Sequence, residues 1–477
     1  MIRMRKHSFF LLVATLFLCG AADAQEAWNL ERCIKYAHDN NIQIRQSELN
    51  AELAKENLTG AKGAALPNLN GFASNNYNFG QRIDPFTNQF ANTKVRSNSF
   101  SLSSSVTLFD GFQIVNTVKQ RQLDYQASKL DVDQQRNDIS LAIAAAYLQI
   151  LFNDELANVA REQIRVTKQQ KDRISRLVEA GSVPKGNLLD VEAQLAVESV
   201  NVVNAENQLT LAKLQLRQLL QLPVETEFNI VQPNLNPAEQ DLSIGTEPGM
   251  VYQTALDAMP QVKGAEVRLA SSEKGISIAK GTRSPTLTIS GSYGTGYSGA
   301  AQEVLGVTQD GTQVIGFTEV GGETVITPSF TTETEVIPFG DQFSDNLNRS
   351  FGFSLTVPIF NGFSTKTSIT RAKISQEIAT ANLELTKNNL RQDIEQAYAD
   401  AQAALKQFRA MEKSVQAQRE SFKYAEQRFN LGVLVAFDYN NSKNQLAKAE
   451  SDLVRAKFDY VFKTKVLDFY QGKALTF

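Results

Sequence analysis

The sequence predicts a mainly α-helical protein with a small membrane β part. Its unit is a strand pair followed by a long coiled-coil helical hairpin, and the unit is duplicated. Three observations carry this. Two runs without Gly or Pro, 112–180 and 363–431, are each 69 residues long. They are bracketed by Gly111 and Gly181 and by Gly362 and Gly432. Four short segments alternate apolar and small residues with period two, and distant residues repeat in a fixed register.

The chain has 477 residues, 42% of them hydrophobic and 21% charged, with a formal net charge of -3. That is too long for one ordinary domain and unlike a disordered composition. It also lacks the basic footprint of a nucleic-acid binder. Two cysteines and two histidines exclude a disulfide scaffold and leave almost nothing for zinc. After the N-terminus, no stretch is expected to reach the roughly 18 apolar residues of a membrane-spanning helix.

Residues 1–24 read as a secretory signal. Arg3, Arg5 and Lys6 form the positive region, Phe9 to Leu18 the apolar one, and Ala22-Asp23-Ala24 the cleavage pattern. Cleavage removes three positive charges and one negative, so the mature net charge falls from -3 to -5. His38 and Cys33 are then the only histidine and cysteine. A rival reading makes Cys19 a lipid-attachment site, but Leu18 stands where a small residue is wanted.

The first repeat is 25–222 and the second 251–477. Gln43, Ala61-Lys62-Gly63, Pro67 and Leu69 recur as Gln261, Ala279-Lys280-Gly281, Pro285 and Leu287, all offset by 218. Phe100, Val106, Phe109, Gly111 and Phe112 recur as Phe351, Val357, Phe360, Gly362 and Phe363, offset by 251. The change is one 33-residue insertion between 293 and 350. Residues 223–250, with Pro233, Pro237 and Pro248, read as a connector.

The strand segments are Leu69 to Tyr77, Phe100 to Leu108, Pro285 to Tyr293 and Phe351 to Ile359. Each has one apolar face and approaches the roughly 9–11 residues of a membrane strand. Single-chain outer-membrane barrels need at least about eight strands. Four strands leave open edges that lipid does not tolerate, so a spanning protein must be an oligomer.

Each Gly-bracketed run predicts a helix of roughly 100 Å. Return helices are expected at about Asn187 to Leu222 and Val435 to Gln471. Phe408, Met411, Val415, Gln418, Phe422, Ala425 and Phe429 alternate by three and four. So do Leu446, Ala449, Leu453, Ala456 and Tyr460, which makes a coiled-coil seam. The insertion falls in a long hairpin loop, 294–348, with eight acidic residues and no Lys or Arg. That composition suits an exterior rim and equally a solvated surface insertion.

Little chemistry is visible. Gly294 to Gly299 spells G-x-G-x-x-G but lacks the following helix that a phosphate site needs, and a turn leaving a strand is expected. One mature histidine assembles neither a triad nor a two-histidine metal site. A carboxylate-pair hydrolase survives a count of acids, but nothing singles out a pair. No enzyme, cofactor or metal site is read.

Together these features resemble the TolC family of outer-membrane factors, over the whole mature chain. The most specific parts are the repeat starts and the tips. The starts are Leu30 to Ile34 with Asn41 to Ile44, and Ala255-Leu256 with Pro260 to Val262. The family usually has Ala at Cys33, so packing is expected there. The tips are Arg176 to Asn187 and Arg428 to Asp438, each with a Gly followed six residues later by Asn or Asp. The resemblance implies a homotrimer forming a 12-stranded β-barrel in the outer membrane, continued by a periplasmic α-barrel. It implies the porin-like exit duct of a tripartite efflux pump or type I secretion system. Its partners would be a periplasmic adaptor (membrane fusion protein), an inner-membrane pump of RND, ABC or MFS type and outer-membrane lipid. Nucleic acid is not among them. The connector 223–250 would join an equatorial belt. The tip residues Gly181, Ser182, Val183, Pro184, Gly432, Val433, Leu434 and Val435 would meet the adaptor. Asn187, Asp190, Asp438, Asn441 and Phe429 would be candidates for the periplasmic constriction. Exposed helix tips also carry Asp or Asn as N-caps, and Phe429 also fits the seam. Leu434 stands where some members place a basic lock residue. A pore-free periplasmic coiled-coil scaffold is the alternative.

Overall fold

The computed structural model describes residues 27–83, 88, 90–91, 94–223, 225–226, 228–233 and 247–476. The signal, Cys19 and most of the connector's middle lie outside the described residues. The chain divides into two compact units. A helical one contains Asp124–Leu269 and Ala379–Phe477 together with the N-terminal segment, and a sheet-bearing one contains Lys55–Leu123 and Ala270–Ile378.

The helices are α1 (Leu30–Asn40), α2 (Ile42–Gly63), α3 (Gln113–Glu179), α4 (Lys185–Leu220), α5 (Pro248–Ala258), α6 (Pro260–Gly281), α7 (Phe339–Asp345), α8 (Ser364–Asn430) and α9 (Ala436–Tyr470). The strands are β1 (Asn70–Asn78), β2 (Arg82–Ile83), β3 (Phe90–Ala91), β4 (Val95–Phe109), β5 (Thr286–Ser298), β6 (Gln302–Phe317), β7 (Thr324–Val336) and β8 (Asn348–Thr356). α1 and α5 have 11 residues each, α2 and α6 have 22, and α3 and α8 have 67. The connector ends earlier than the prolines suggest. Pro248 begins α5 at a position where its missing N–H is harmless.

In the helical unit, α1 starts at Asn29, whose side chain accepts from the Arg32 amide at 2.8 Å. Its buried face, Leu30, Cys33 and Ala37, packs with Ile143, Tyr147 and Ile150 of α3 and Leu216 and Leu220 of α4. Burial pushes the Cys33 thiol up to about 12, so it is an inert packing group. Trp28 pairs in parallel with Ile230, and the Tyr147 hydroxyl donates to the Val231 carbonyl at 2.5 Å. The connector's start is thereby held on the α1–α3 core. One correction concerns α3, which contains a window apolar enough, by length and composition, to cross a membrane. More than half of that window is buried, because Ile143, Tyr147 and Ile150 build the core.

In the sheet unit, β1, β4, β5 and β8 form one antiparallel sheet in that order. Cross-strand partners share a face, and the two faces differ sharply. One carries Val106, Ile289 and Phe353 in a row, with Leu287 beside Leu355 and Leu102 beside Tyr293. The other carries Ser103, Ser292 and Ser350, then Ser105, Ser290 and Gly352. Phe351 and Phe353 are 71% and 66% exposed, so nothing within the chain covers them. β1 and β8 are edges with one partner each among the described strands.

The insertion is not a plain loop. β6 and β7 form a separate antiparallel ribbon, and α7 follows it. Three register shifts in β6 hide its period from a simple alternation search. The G-x-G-x-x-G letters lie along the end of β5 and the turn after it, with no phosphate-binding helix following.

Candidate functional site

The candidate site is the pair of helical tips, both within the helical unit. α3 ends in a Schellman motif. The Ser182 amide donates to the Leu177 carbonyl at 2.8 Å and the Gly181 amide to Val178 at 2.9 Å. α8 ends the same way, with Val433 donating to Arg428 at 2.9 Å and Gly432 to Phe429 at 3.0 Å. Both tip glycines are left-handed, with φ of 71° and 76°. Nothing crowds a Cβ at either position, so backbone conformation alone selects Gly.

The return helices begin at caps Pro184 and Val435, neither of which has a capping side-chain bond. Asn187 and Asp438 lie inside the first turn and are not N-caps. Asp438 still complements the helix dipole there. Asp190, Asp438 and Asn441 are exposed, and Asn187 is half-buried. Gly181, Ser182 and Pro184 are exposed, with Val183 half-buried; Gly432, Val433 and Val435 are exposed, with Leu434 half-buried. The second tip therefore displays an apolar cluster in which Leu431 and Phe437 are each 78% exposed.

Phe429 is half-buried and stacks on Tyr439, with centroids 4.6 Å apart and planes 22° apart. Phe422 contacts the same Tyr439 at 5.4 Å. Burial pushes the Tyr439 hydroxyl up to about 12, with Glu426 adding to the rise. The Phe429 ring thus ties α8 to α9.

Behind the tips lies a polar cluster that sequence reasoning missed. Lys443 of α9 and Glu198 of α4 form an ion pair at 2.9 Å, with side chains only 3% and 6% exposed. Lys443 also donates to Thr167 and to the Gln163 carbonyl of α3. The Thr167 hydroxyl donates to the other Glu198 oxygen, and Gln194 donates to Glu198 at 2.9 Å. Burial lowers the Lys443 pKa, opposed by Glu198. The pair locks the first hairpin to the return helix of the second. Extended backward, the alternation of Leu446, Ala449 and Leu453 lands on Ser442 and Tyr439, so Lys443 lies beside the seam and its spacing carried no signal of burial.

A profile described as outer membrane efflux protein matches residues 33–221 and 251–468. The chain belongs to that family. The outer membrane efflux protein BepC of Brucella suis biovar 1 (strain 1330) is 20% identical, over 96% of this chain and 88% of that one. The outer membrane protein TolC of Escherichia coli (strain K12) is 21% identical, over 94% and 82%. Among solved structures, CusC matches with a TM-score of 0.74 at 16% identity, covering 94% of this chain and 93% of that one. VceC from Vibrio cholerae matches with a TM-score of 0.71 at 14% identity, covering 94% and 96%. The protein is thus an outer-membrane efflux channel of the TolC type, located in the outer membrane with a helical extension into the periplasm. The family is one of channels.

Proposed function

We propose that three copies form one passive exit duct that runs from a periplasmic adaptor and an inner-membrane pump to the exterior. The observation that carries this is the four-stranded sheet with an apolar face, a serine-lined face and two open edges. Lipid does not satisfy the free N–H and C=O groups of β1 and β8. Three sheets joined edge to edge make twelve strands and leave no edge. The apolar face then meets lipid and the serine face lines a wet lumen. The chain itself catalyses no reaction; the pump supplies the energy.

The repeats 25–222 and 251–477 supply equivalent hairpins, and 223–250 joins the belt between them. The exposed Leu431, Val433, Val435 and Phe437 suit an apolar adaptor contact. Threefold symmetry turns Asp190 and Asp438 each into a ring of three carboxylates at different depths, which favours cations at the constriction. Asn187 and Asn441 sit at the matching positions of the opposite repeats. Cysteines placed at Ala73 on β1, which shares the apolar face with its partner Phe100, and, in turn, at Phe351, Phe353 and Leu355 on β8 test the closure. Oxidation of one such pairing yields covalent dimers and trimers. Crosslinks confined to single chains refute edge-to-edge closure.

A further inference from the structure

The β6–β7 ribbon is amphipathic by construction. Residues 326, 330, 332 and 334 of β7 share one face, and their partners are Val314, Gln309, Val307 and Val304. That face exposes Val304, Val307, Val314, Phe317, Ile326 and Phe330, each more than half accessible. The opposite face carries Glu333, Glu335 and, across from Glu335, Glu303. Asp310 belongs to the same side, since Ser329 donates to it at 2.6 Å and Thr331 also donates to it. Three bulges, around Leu305, Asp310 and Ile315, keep the valines of β6 in phase. Without them Val304 and Val307 would lie on opposite faces.

The ribbon is rooted at the end of β5 away from α6. The buried Gln342 of α7 accepts from the Ser298 amide at 2.9 Å and donates to the Ser298 carbonyl at 3.0 Å and to Ile337 at 2.8 Å. The Ile337 amide donates to Ala301 at 3.0 Å. Phe343 of α7 packs on Phe100 of the sheet at 5.8 Å. The barrel wall therefore delivers the ribbon at a defined place.

We infer that the ribbons of three copies pack together by their apolar faces, forming a crown over the outer mouth with the acidic faces turned to solvent. This rests on the trimeric reading above. Size argues for copies of this chain over a free partner. The 13 residues of β7 span about 43 Å, and two strands at roughly 4.8 Å spacing give a face of about 400 Å². A stable encounter between free proteins needs about 800 Å² per partner. Copies held on one barrel do not meet that requirement, because tethering raises their effective concentration to the millimolar range. Reach agrees as well: a 12-stranded barrel has a backbone diameter of about 24 Å at a tilt near 40°, so each ribbon extends past the axis. The face carries no charge that would select a foreign surface.

The test uses the full chain in detergent, with native mass spectrometry to count copies. Cys33 is buried and stays silent to maleimides. With Phe330→Cys, a short bis-maleimide links two copies within the trimer; with Thr331→Cys, on the acidic face, the yield falls at least fivefold. Intact trimers with equal or absent linking at the two positions overturn the crown and leave the channel standing. A particle that is not trimeric overturns both. Replacing 302–336 by two glycines, which joins the hydrogen-bonded Ala301 and Ile337, raises single-channel conductance at least twofold. Unchanged conductance in an intact trimer also overturns the crown.

Discussion

Removing the Lys443 ammonium strands a carboxylate. In Lys443→Met, Glu198 keeps Thr167 and Gln194 as donors but loses its cation, with its side chain 6% exposed. Breaking a buried pair from one side costs about 3–5 kcal/mol, whereas replacing both partners by apolar groups of similar size is often neutral. The local cost falls on α4 and α9 near the tips, because Lys443 bridges α3, α4 and α9. At about 1.4 kcal/mol per tenfold, 3 kcal/mol raises local opening by about 100-fold. Hydrogen exchange of the full-length protein in detergent reads this directly on amides 190–200 and 439–447. Lys443→Met should lose about two orders of magnitude of protection there, while Lys443→Met with Glu198→Leu should recover most of it. Wild-type protection in the single variant refutes the lock. A double variant as open as the single refutes the electrostatic cause and leaves only packing.

The strand-to-helix junctions should respond unequally. Gly111 and Gly362 share a left-handed φ, 69° and 59°, but a Cβ at Gly111 would meet the Gly281 carbonyl and the Ser284 Cβ at 2.5 Å, while one at Gly362 meets nothing. Gly362→Ala should cost about 1–2 kcal/mol from backbone strain alone, and Gly111→Ala should sharply cut the yield of assembled protein in the outer-membrane fraction. His38 lies against Ser140 at 2.9 Å, and burial holds its pKa below the ordinary 6.5, with Arg136 and Asp39 as the nearby charges. The unfolded chain therefore takes up the proton first as pH falls below 6.5, so stability should drop by up to about 1.4 kcal/mol per pH unit; His38→Gln should flatten that slope in denaturant titrations between pH 6.5 and 5. Asp190→Asn with Asp438→Asn should abolish block by divalent cations added from the periplasmic side in planar bilayers, and retained block would remove these acids from the constriction.

Much of the fold is legible because its punctuation is local. Gly111, Gly181, Gly362 and Gly432 take left-handed conformations at element ends, so the expected runs 112–180 and 363–431 differ from α3 and α8 by one residue at each end. The sheet strands mostly keep a period of two on their apolar side, interrupted in β4 between Thr107 and Phe109, which makes them legible, although β8 ends at Thr356 and not at Ile359. β6 escaped because bulges at Leu305, Asp310 and Ile315 break that period, and β7 because threonines stand on both of its faces and blur the alternation. Pro248 was read as connector although it starts a helix, since proline suits both positions. In the tip region, the conformational glycines were visible one residue at a time. The Glu198–Lys443 pair was not, because it joins residues 245 apart in the chain and only folding brings them together.

Cryo-electron microscopy of the detergent-extracted mature protein tests the central claim most directly. The account predicts a hollow threefold particle in which three sheets meet β1 to β8 around twelve strands, with the serine face inward. A single-copy or solid particle, or a protein that stays in solution without detergent, would contradict it.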